Sequence, residues 1–428
     1  MAKRYLDLSA AELNAQLSEA RQELEGFKAM ELSLDMSRGK PCKDQLNLSM
    51  GLLDAVTSRD NIISEGGIDC RNYGGPDGIP ETRRLFAEML GCSVDKVILG
   101  GSSSRNMMFE FISQAMSSGL GGKPWSQQGE IKFLCPAPGY DRHFAICEHF
   151  GIKMIPIAMQ NDGPDMEEVE RLVKDPAVKG MWCVPKYSNP QGITYTDDIV
   201  RRIAALKPAA EDFRVMWDNA YVIHLINDDD NLLDILEECK KAGNPSLVVE
   251  FASTSKITFP GGGVACIAAN KVNRELIRRR MSVQTICNDK VNQLRHARMF
   301  PDLNALKCHM MRHAEIMIPK FKMVTDMLDD MLGGLDILAF NEPNGGYFIS
   351  VDTLPGCAKR VVELCAEAGV VLTGAGATYP YGNDPLDSNI RIAPSFPPVD
   401  ELRQAMKIFT TAVKIATAEM LIEQGMCK

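Results

Sequence analysis

Between residues 94 and 268 the chain repeats one pattern, a short apolar run followed by a stretch of helical periodicity. The runs are Val94 to Gly100, Ile131 to Cys135, Lys153 to Ile157, Gly180 to Val184, Phe213 to Trp217, Leu247 to Phe251 and Val264 to Ala268. Helical stretches follow Ser103, Pro138-Gly139 and Pro164, and occupy most other intervals. Runs so continuous in apolar residues need cover on both faces. The pattern therefore predicts a largely parallel, seven-stranded sheet between layers of helices, an α/β fold. Functional groups in such a sheet gather at the carboxyl ends of the strands.

The flanks read differently. Ser9 with Glu12 is a capping box opening a helix of roughly twenty residues, to about Met30. Its polarity predicts an arm lying on a surface, such as that of another subunit. After Asn270 the pattern is helical to about Leu332. Gly345 to Val351 and Asn389 to Ala393 are strand-like, with a helix near Cys357 to Ala368 between them, and a last helix spans Val399 to Glu423. A chain of 428 residues exceeds one ordinary core. The expected organisation is an N-terminal arm and part of a small domain over 1–45, a large domain over 46–300, and a long connecting helix with the rest of a small α/β domain over 301–428.

Composition narrows the partners. A net charge of -9 argues against nucleic acid as a general partner, while leaving room for a local basic pocket. Thirteen cysteines occur singly and without a CxxC pair. They predict reduced thiols and a cytoplasmic protein, with Cys135, Cys183 and Cys266 in the core. No apolar run approaches the ~20 residues of a membrane helix, and the first ten residues carry charges without an apolar segment. No metal site is expected.

Polar residues wait at the predicted strand ends. Gly101-Ser102-Ser103-Ser104-Arg105 opens a helix and makes a phosphate seat from N–H groups, hydroxyls and the helix dipole, or else an ordinary serine cap. Tyr140 brings an aromatic ring, either for a ligand or for packing. Tyr187-Ser188-Asn189-Pro190-Gln191-Gly192 is a turn, plain or with Asn189 in a cleft. Asp218, just past an apolar strand, needs a partner, because a lone buried carboxylate is costly. Tyr221 follows three residues on. Lys256 comes after three hydroxyl residues, Ser253-Thr254-Ser255, and is followed by Gly261-Gly262-Gly263. A lysine so placed is either a surface residue in a glycine-rich turn or an amine whose desolvation readies it for a Schiff base with an aldehyde.

In order and context these segments resemble the fold-type I aminotransferases that use pyridoxal phosphate. The resemblance covers about Gly39 to Arg391. Tyr73-Gly74-Gly75-Pro76-Asp77-Gly78 is similar to the family's Tyr-x4-Gly. Asn189-Pro190-Gln191-Gly192 resembles Asn-Pro-x-Gly, and Asp218-Asn219-Ala220-Tyr221 resembles Asp-x-x-Tyr. Ser253-Thr254-Ser255-Lys256 resembles Ser-x-Ser-Lys, and Asn389-Ile390-Arg391 the C-terminal arginine segment. The glycine run, Ser37-Arg38-Gly39-Lys40-Pro41 and Ser102 to Met108 resemble the type Ic aspartate aminotransferase subgroup.

The resemblance implies roles. Lys256 would bind pyridoxal 5′-phosphate covalently and then shuttle protons. Asp218 would keep the ring nitrogen protonated. Tyr221 and Asn189 would hydrogen-bond the ring oxygen, and Tyr140 would stack on the ring. Ser103, Ser104, the Arg105 backbone and Ser253 would hold the phosphate, with Ser102 the alternative in that register. Tyr73 would reach it from a neighbouring subunit, which implies a homodimer. Arg391 would clamp the substrate carboxylate beside the Gly39 backbone. One position departs from the family: its usual phosphate arginine, eight residues after the lysine, is Val264 here, so the charge falls to Arg105 or the glycine-run backbone. The expected activity is transfer of an amino group between an L-amino acid and a 2-oxo acid, with aspartate and 2-oxoglutarate the leading pair. Alanine or aromatic donors, a β-lyase reaction, and a non-catalytic pyridoxal-phosphate-binding regulator are the alternatives. Arg38, Lys40, Arg295 and Arg298 are the basic residues available to read a substrate side chain, or are surface charges.

Overall fold

The structure is a computed structural model and describes residues 3–227 and 230–426. In chain order the elements begin with α1 (Ala10–Lys28), β1 (Leu34–Asp35), α2 (Lys43–Asn47), α3 (Gly51–Asp54) and α4 (Pro80–Leu90). The sheet-forming part follows as β2 (Val97–Leu99), α5 (Ser104–Ser118), β3 (Lys132–Ala137), α6 (Asp141–His149), β4 (Lys153–Ala158), α7 (Met166–Leu172) and β5 (Val178–Cys183). It continues through α8 (Asp197–Ala204), β6 (Arg214–Asp218), α9 (Ile235–Lys241), β7 (Val248–Ser253) and β8 (Ala265–Ala269). Three helices come next, α10 (Lys271–Gln284), α11 (Lys290–Met299) and α12 (Leu303–Leu332). The chain closes with β9 (Leu338–Phe340), β10 (Ile349–Thr353), α13 (Ala358–Glu367), β11 (Val370–Val371), β12 (Asn389–Ile392) and α14 (Val399–Glu423).

The large sheet has the order β2-β8-β7-β6-β5-β3-β4. Strands β4, β3, β5, β6 and β7 run parallel, while β8 is antiparallel to both β7 and β2. Successive residues alternate between two apolar layers, one on each face of the sheet. Along β6, Val215 and Trp217 enter one layer and Met216 the other; along β7, Val248 and Ala252 oppose Val249 and Phe251. This two-sided burial is why the runs read as continuous apolar stretches and not as alternating ones. The expected strand over Val94 to Gly100 is shorter, since Val94–Lys96 form a 3-10 turn before β2. No helix intervenes between β7 and β8. The connection there is a turn, and it carries Lys256.

A second core gathers α1, α12, α13 and α14 around the antiparallel sheet β12-β10-β9. The strand expected from Gly345 begins only at Ile349, because Gly345 to Phe348 run as an irregular segment past the site. The N-terminal helix differs from its expectation more instructively. Ser9 and Glu12 do form the capping box. The helix, however, lies on its own chain's α14, not out on another subunit. Leu13, Leu17, Ala20 and Leu24 recur at helical spacing and are buried in the second core. One narrow stripe suffices, which leaves the remaining faces polar and makes the helix polar on average. Glu23 accepts a hydrogen bond from Thr411 at 2.9 Å, and Arg21 pairs with Glu419 at 2.8 Å. Twelve cysteines are described and all are free thiols; Cys135, Cys183 and Cys266 are buried as expected.

Leu13 is fully buried in this contact, so Leu13→Ala should cost about 2–5 kcal/mol in equilibrium unfolding by denaturant. The contact is intramolecular, and the loss should therefore be the same at every protein concentration. A loss that grew on dilution would return α1 to the role of an arm between subunits.

Candidate active site

The parallel strands end on one edge of the sheet, and a cavity of about 270 Å³ opens there. Ser103, Ser104 and Arg105 line it from the start of α5, Tyr140 from beyond β3, and Asn189 from beyond β5. Asp218 and Tyr221 line it from the end of β6, and Ser253 and Lys256 from the end of β7. Nine of the twelve residues singled out as site residues in the sequence thus share this one wall; Arg391 adjoins it through Asn189. Ser103 occupies the N-cap of α5 without making a capping hydrogen bond. Its hydroxyl and the N–H groups of the first turn remain available to an anion.

Asp218 is almost wholly buried. Its Oδ2 lies 3.0 Å from Nε2 of His143, whose ring stacks on Trp182 at 4.3 Å and meets Tyr140 edge-on at 4.9 Å. Its Oδ1 is buried without a partner among the described residues. A buried carboxylate oxygen left open on a cavity calls for a donor, preferably a cationic one. The protonated nitrogen of a pyridine ring fits that requirement, and so the donor set present fits pyridoxal phosphate.

Lys256 Nζ donates to the Tyr221 hydroxyl at 2.6 Å and lies 4.2 Å from that ring's centroid. Burial lowers its amine to about 8; Asp218 opposes the shift and Arg391 adds to it. Tyr221 is held neutral, its phenol pushed well above the usual value chiefly by burial. The turn that carries Lys256 is tight. Thr254 N–H donates to the Val264 carbonyl at 2.8 Å, and Val264 N–H to the Thr254 hydroxyl at 2.9 Å. A Cβ at Gly263 would sit about 3 Å from the Ser255 backbone and 3.2 Å from the Ser102 carbonyl. Glycine is needed for that approach, and the following Val264 side chain points into the core. The usual phosphate arginine therefore has no counterpart here, whereas Arg105 lines the cavity.

Arg391, in β12, is nearly buried. Its Nη1 lies 3.1 Å from both Asp141 Oδ1 and Asn189 Oδ1, and its Nη2 3.2 Å from the Thr373 hydroxyl. The guanidinium covers the Phe348 ring at 4.6 Å. Gly39 packs on the same ring, where a Cβ would collide with it. Gly39 is thus placed beside Arg391, although neither lines the cavity itself. Tyr73 is not brought in. It is 73% exposed and outside the cavity of its own chain. Of the basic residues considered for side-chain reading, Lys40 sits over Phe396 at 3.7 Å, and Arg298 Nη1 donates to the Ala55 carbonyl at 3.2 Å. His143, Asp141, Thr373, Tyr347 and Phe348 were not legible as site residues. Only His143, three residues after Tyr140 and so one helical turn on, offered a faint signal.

The model of the family described as aspartate amino-transferase matches residues 8–425. The chain belongs to the aspartate amino-transferase family. This aminotransferase is 44% identical to an aspartate aminotransferase of Corynebacterium glutamicum over 416 residues, 96% of each chain. It is also similar to a solved aspartate transaminase from Corynebacterium glutamicum, with a TM-score of 0.96, 43% identity, and coverage of 98% of this chain and 100% of that one. An α-aminoadipate aminotransferase from Thermus thermophilus shares the fold at 16% identity and a TM-score of 0.74, covering 92% of this chain and 95% of its own.

The environment of Lys256 makes a pH prediction. In protein freed of cofactor, the rate at which Lys256 condenses with an aromatic aldehyde should reach half its maximum near pH 8, read by absorbance. Arg391→Met removes a cation and should raise that midpoint. Asp218→Asn removes an anion and should lower it. A midpoint near the ordinary lysine value in the unmodified protein would contradict the desolvation described here.

Proposed function

We propose that the protein moves the amino group of an L-amino acid, with aspartate the leading donor, to a 2-oxo acid such as 2-oxoglutarate, in two half-reactions at one site. Its cofactor is pyridoxal 5′-phosphate. The observation that carries the reading is the grouping of Lys256, Asp218 and Arg391 about one cavity. When bound, the cofactor supplies an electron sink for the carbon that loses its proton. Lys256 would hold the cofactor through its aldehyde, and its amine is the base placed to move the proton at the substrate Cα. An amine lowered to about 8 is suited to both tasks, since it is free of its proton in useful amounts near neutrality. Asp218 Oδ1 holds the ring nitrogen's proton. Tyr221 and Asn189 donate to the ring oxygen, and Tyr140 stacks on the ring. Ser103, Ser104, Ser253 and the backbone at Arg105 take the phosphate, with the Arg105 charge in place of the missing arginine. Arg391 binds the α-carboxylate beside Gly39.

The same reading takes residues 46–300 as the cofactor-binding domain, with 1–45 and 301–428 forming the smaller one. It makes the protein a cytoplasmic homodimer in which Tyr73 serves the neighbouring subunit's phosphate. The high exposure of Tyr73, and of Val283 at 89% and Ile286 at 64%, supports such a partner. Among the described residues no helix is long and apolar enough to cross a membrane.

The half-reaction tests the function directly. Purified enzyme mixed with single amino acids should show the cofactor's absorbance convert to that of its amine form, fastest with aspartate or glutamate. Conversion with alanine or an aromatic donor alone would transfer the specificity to that donor. Loss of ammonia with no conversion would make the enzyme a lyase. A planar guanidinium pairs with a carboxylate through two parallel hydrogen bonds that an ammonium cannot reproduce. Arg391→Lys should therefore lower kcat/KM by roughly two decades for every donor alike, with cofactor content unchanged. Damage to aspartate turnover that spared alanine would assign Arg391 to the side-chain carboxylate instead.

A further inference from the structure

The turn bearing Lys256 faces the cavity on one side. Its other side rests on a buried polar network that the proposed chemistry does not use. The Tyr347 hydroxyl donates to the Lys256 carbonyl at 3.3 Å. The Gln45 amide donates in turn to the Tyr347 oxygen at 3.1 Å, while its own carbonyl is held by the Cys42 N–H at 3.1 Å. The next carbonyl along, that of Ile257, accepts from the Ser49 hydroxyl at 3.3 Å and lies 2.9 Å from His309 Nε2. His313 bridges the two halves, 3.2 Å from the Gln45 amide and 3.1 Å from His309. Gln45 and Ser49 are wholly buried, and Tyr347, His309 and His313 nearly so. None of the five lines the cavity.

An apolar floor would fill the same space, but it would not fix the orientation of two successive peptide planes. Directional hydrogen bonds to both carbonyls do. The position of Nζ depends on where its four-carbon stem starts, so a rotated peptide at Lys256 moves the amine at the far end of the lever. Tyr347 acts at a second point too, since its ring centroid lies 5.2 Å from Lys256 Nζ.

Resting on the proposed role of Lys256, we infer that Tyr347 and Gln45 are positioning residues, which set the Lys256 amine for proton transfer by fixing the carbonyl of its own peptide.

Tyr347→Phe removes only the hydroxyl and keeps the ring. In the holoenzyme its kcat should fall about five- to tenfold, the scale of one lost neutral hydrogen bond. KM for the amino donor should stay within about twofold, since the contacts of Arg391 are untouched. The pH midpoint of the holoenzyme's visible absorbance should shift, because that absorbance reports the environment of the lysine nitrogen. Gln45→Met should change kcat and the absorbance midpoint in the same sense without touching Lys256. The double variant should be little worse than Tyr347→Phe alone, as expected of residues acting in one chain. Wild-type kcat and an unmoved absorbance midpoint in Tyr347→Phe would overturn the inference. So would two variants that only lower the melting temperature, with additive effects. Borohydride reduction and peptide mapping separate this from the broader reading. If the label lands on Lys256 in both wild type and Tyr347→Phe, the role of Lys256 stands whatever becomes of Tyr347.

Discussion

A buried carboxylate with one oxygen satisfied and one open sets the terms for everything around it. Asp218 stands at the end of β6, where both faces of the sheet are covered, so water does little to stabilise its charge. His143 takes one oxygen and is itself fixed flat against Trp182. The open oxygen gives the cavity a polarity and a direction. Lys256 and Arg391 then stand as cations near that anion. Lys256 feels Asp218 as a partner and Arg391 as a competitor, with desolvation outweighing both. The three charges cannot be varied independently, because each is part of the others' surroundings in a poorly solvated space.

The two cores of the chain meet at this point. Lys256 and Asp218 belong to the large sheet, and Arg391 to the small one. Consecutive residues Tyr347 and Phe348 reach both: Tyr347 touches the backbone of Lys256, and Phe348 lies under Arg391. The ion pair of Arg391 with Asp141, and its bond to Asn189, tie the small sheet to the start of α6 and to the turn after β5 at the edge of the large one. A shift of one core against the other would therefore be felt at the arginine and, through Tyr347, at the lysine.

Much of this was legible in the chain itself. The apolar runs placed the strands to within a few residues, and the motifs at their ends named Lys256, Asp218, Tyr221 and Asn189. Those signals are local, arising from a strand followed by a polar turn. What escaped is what depends on distance along the chain. His143 meets Asp218 across 75 positions, and Asp141 meets Arg391 across 250. No local pattern marks an aspartate at the first position of a helix as the partner of an arginine in a remote strand. Tyr347 and Gln45 likewise read as ordinary residues until α2 and the segment before β10 are packed beneath the lysine turn. The polar average of α1 misled for a simpler reason, because a stripe of four apolar residues is diluted by three solvated faces.

That helix has a consequence for how the molecule is made. The second core is assembled from the two ends of the chain, with α1 lying on α14 and β1 paired to β11. A ribosome delivers α1 first and α14 last. The strands of the large sheet are all available while the C-terminal helix is still to be synthesised, and until it emerges the apolar stripe of α1 lacks its mate. The contact between α1 and α14 can therefore form only after the last helix has been made.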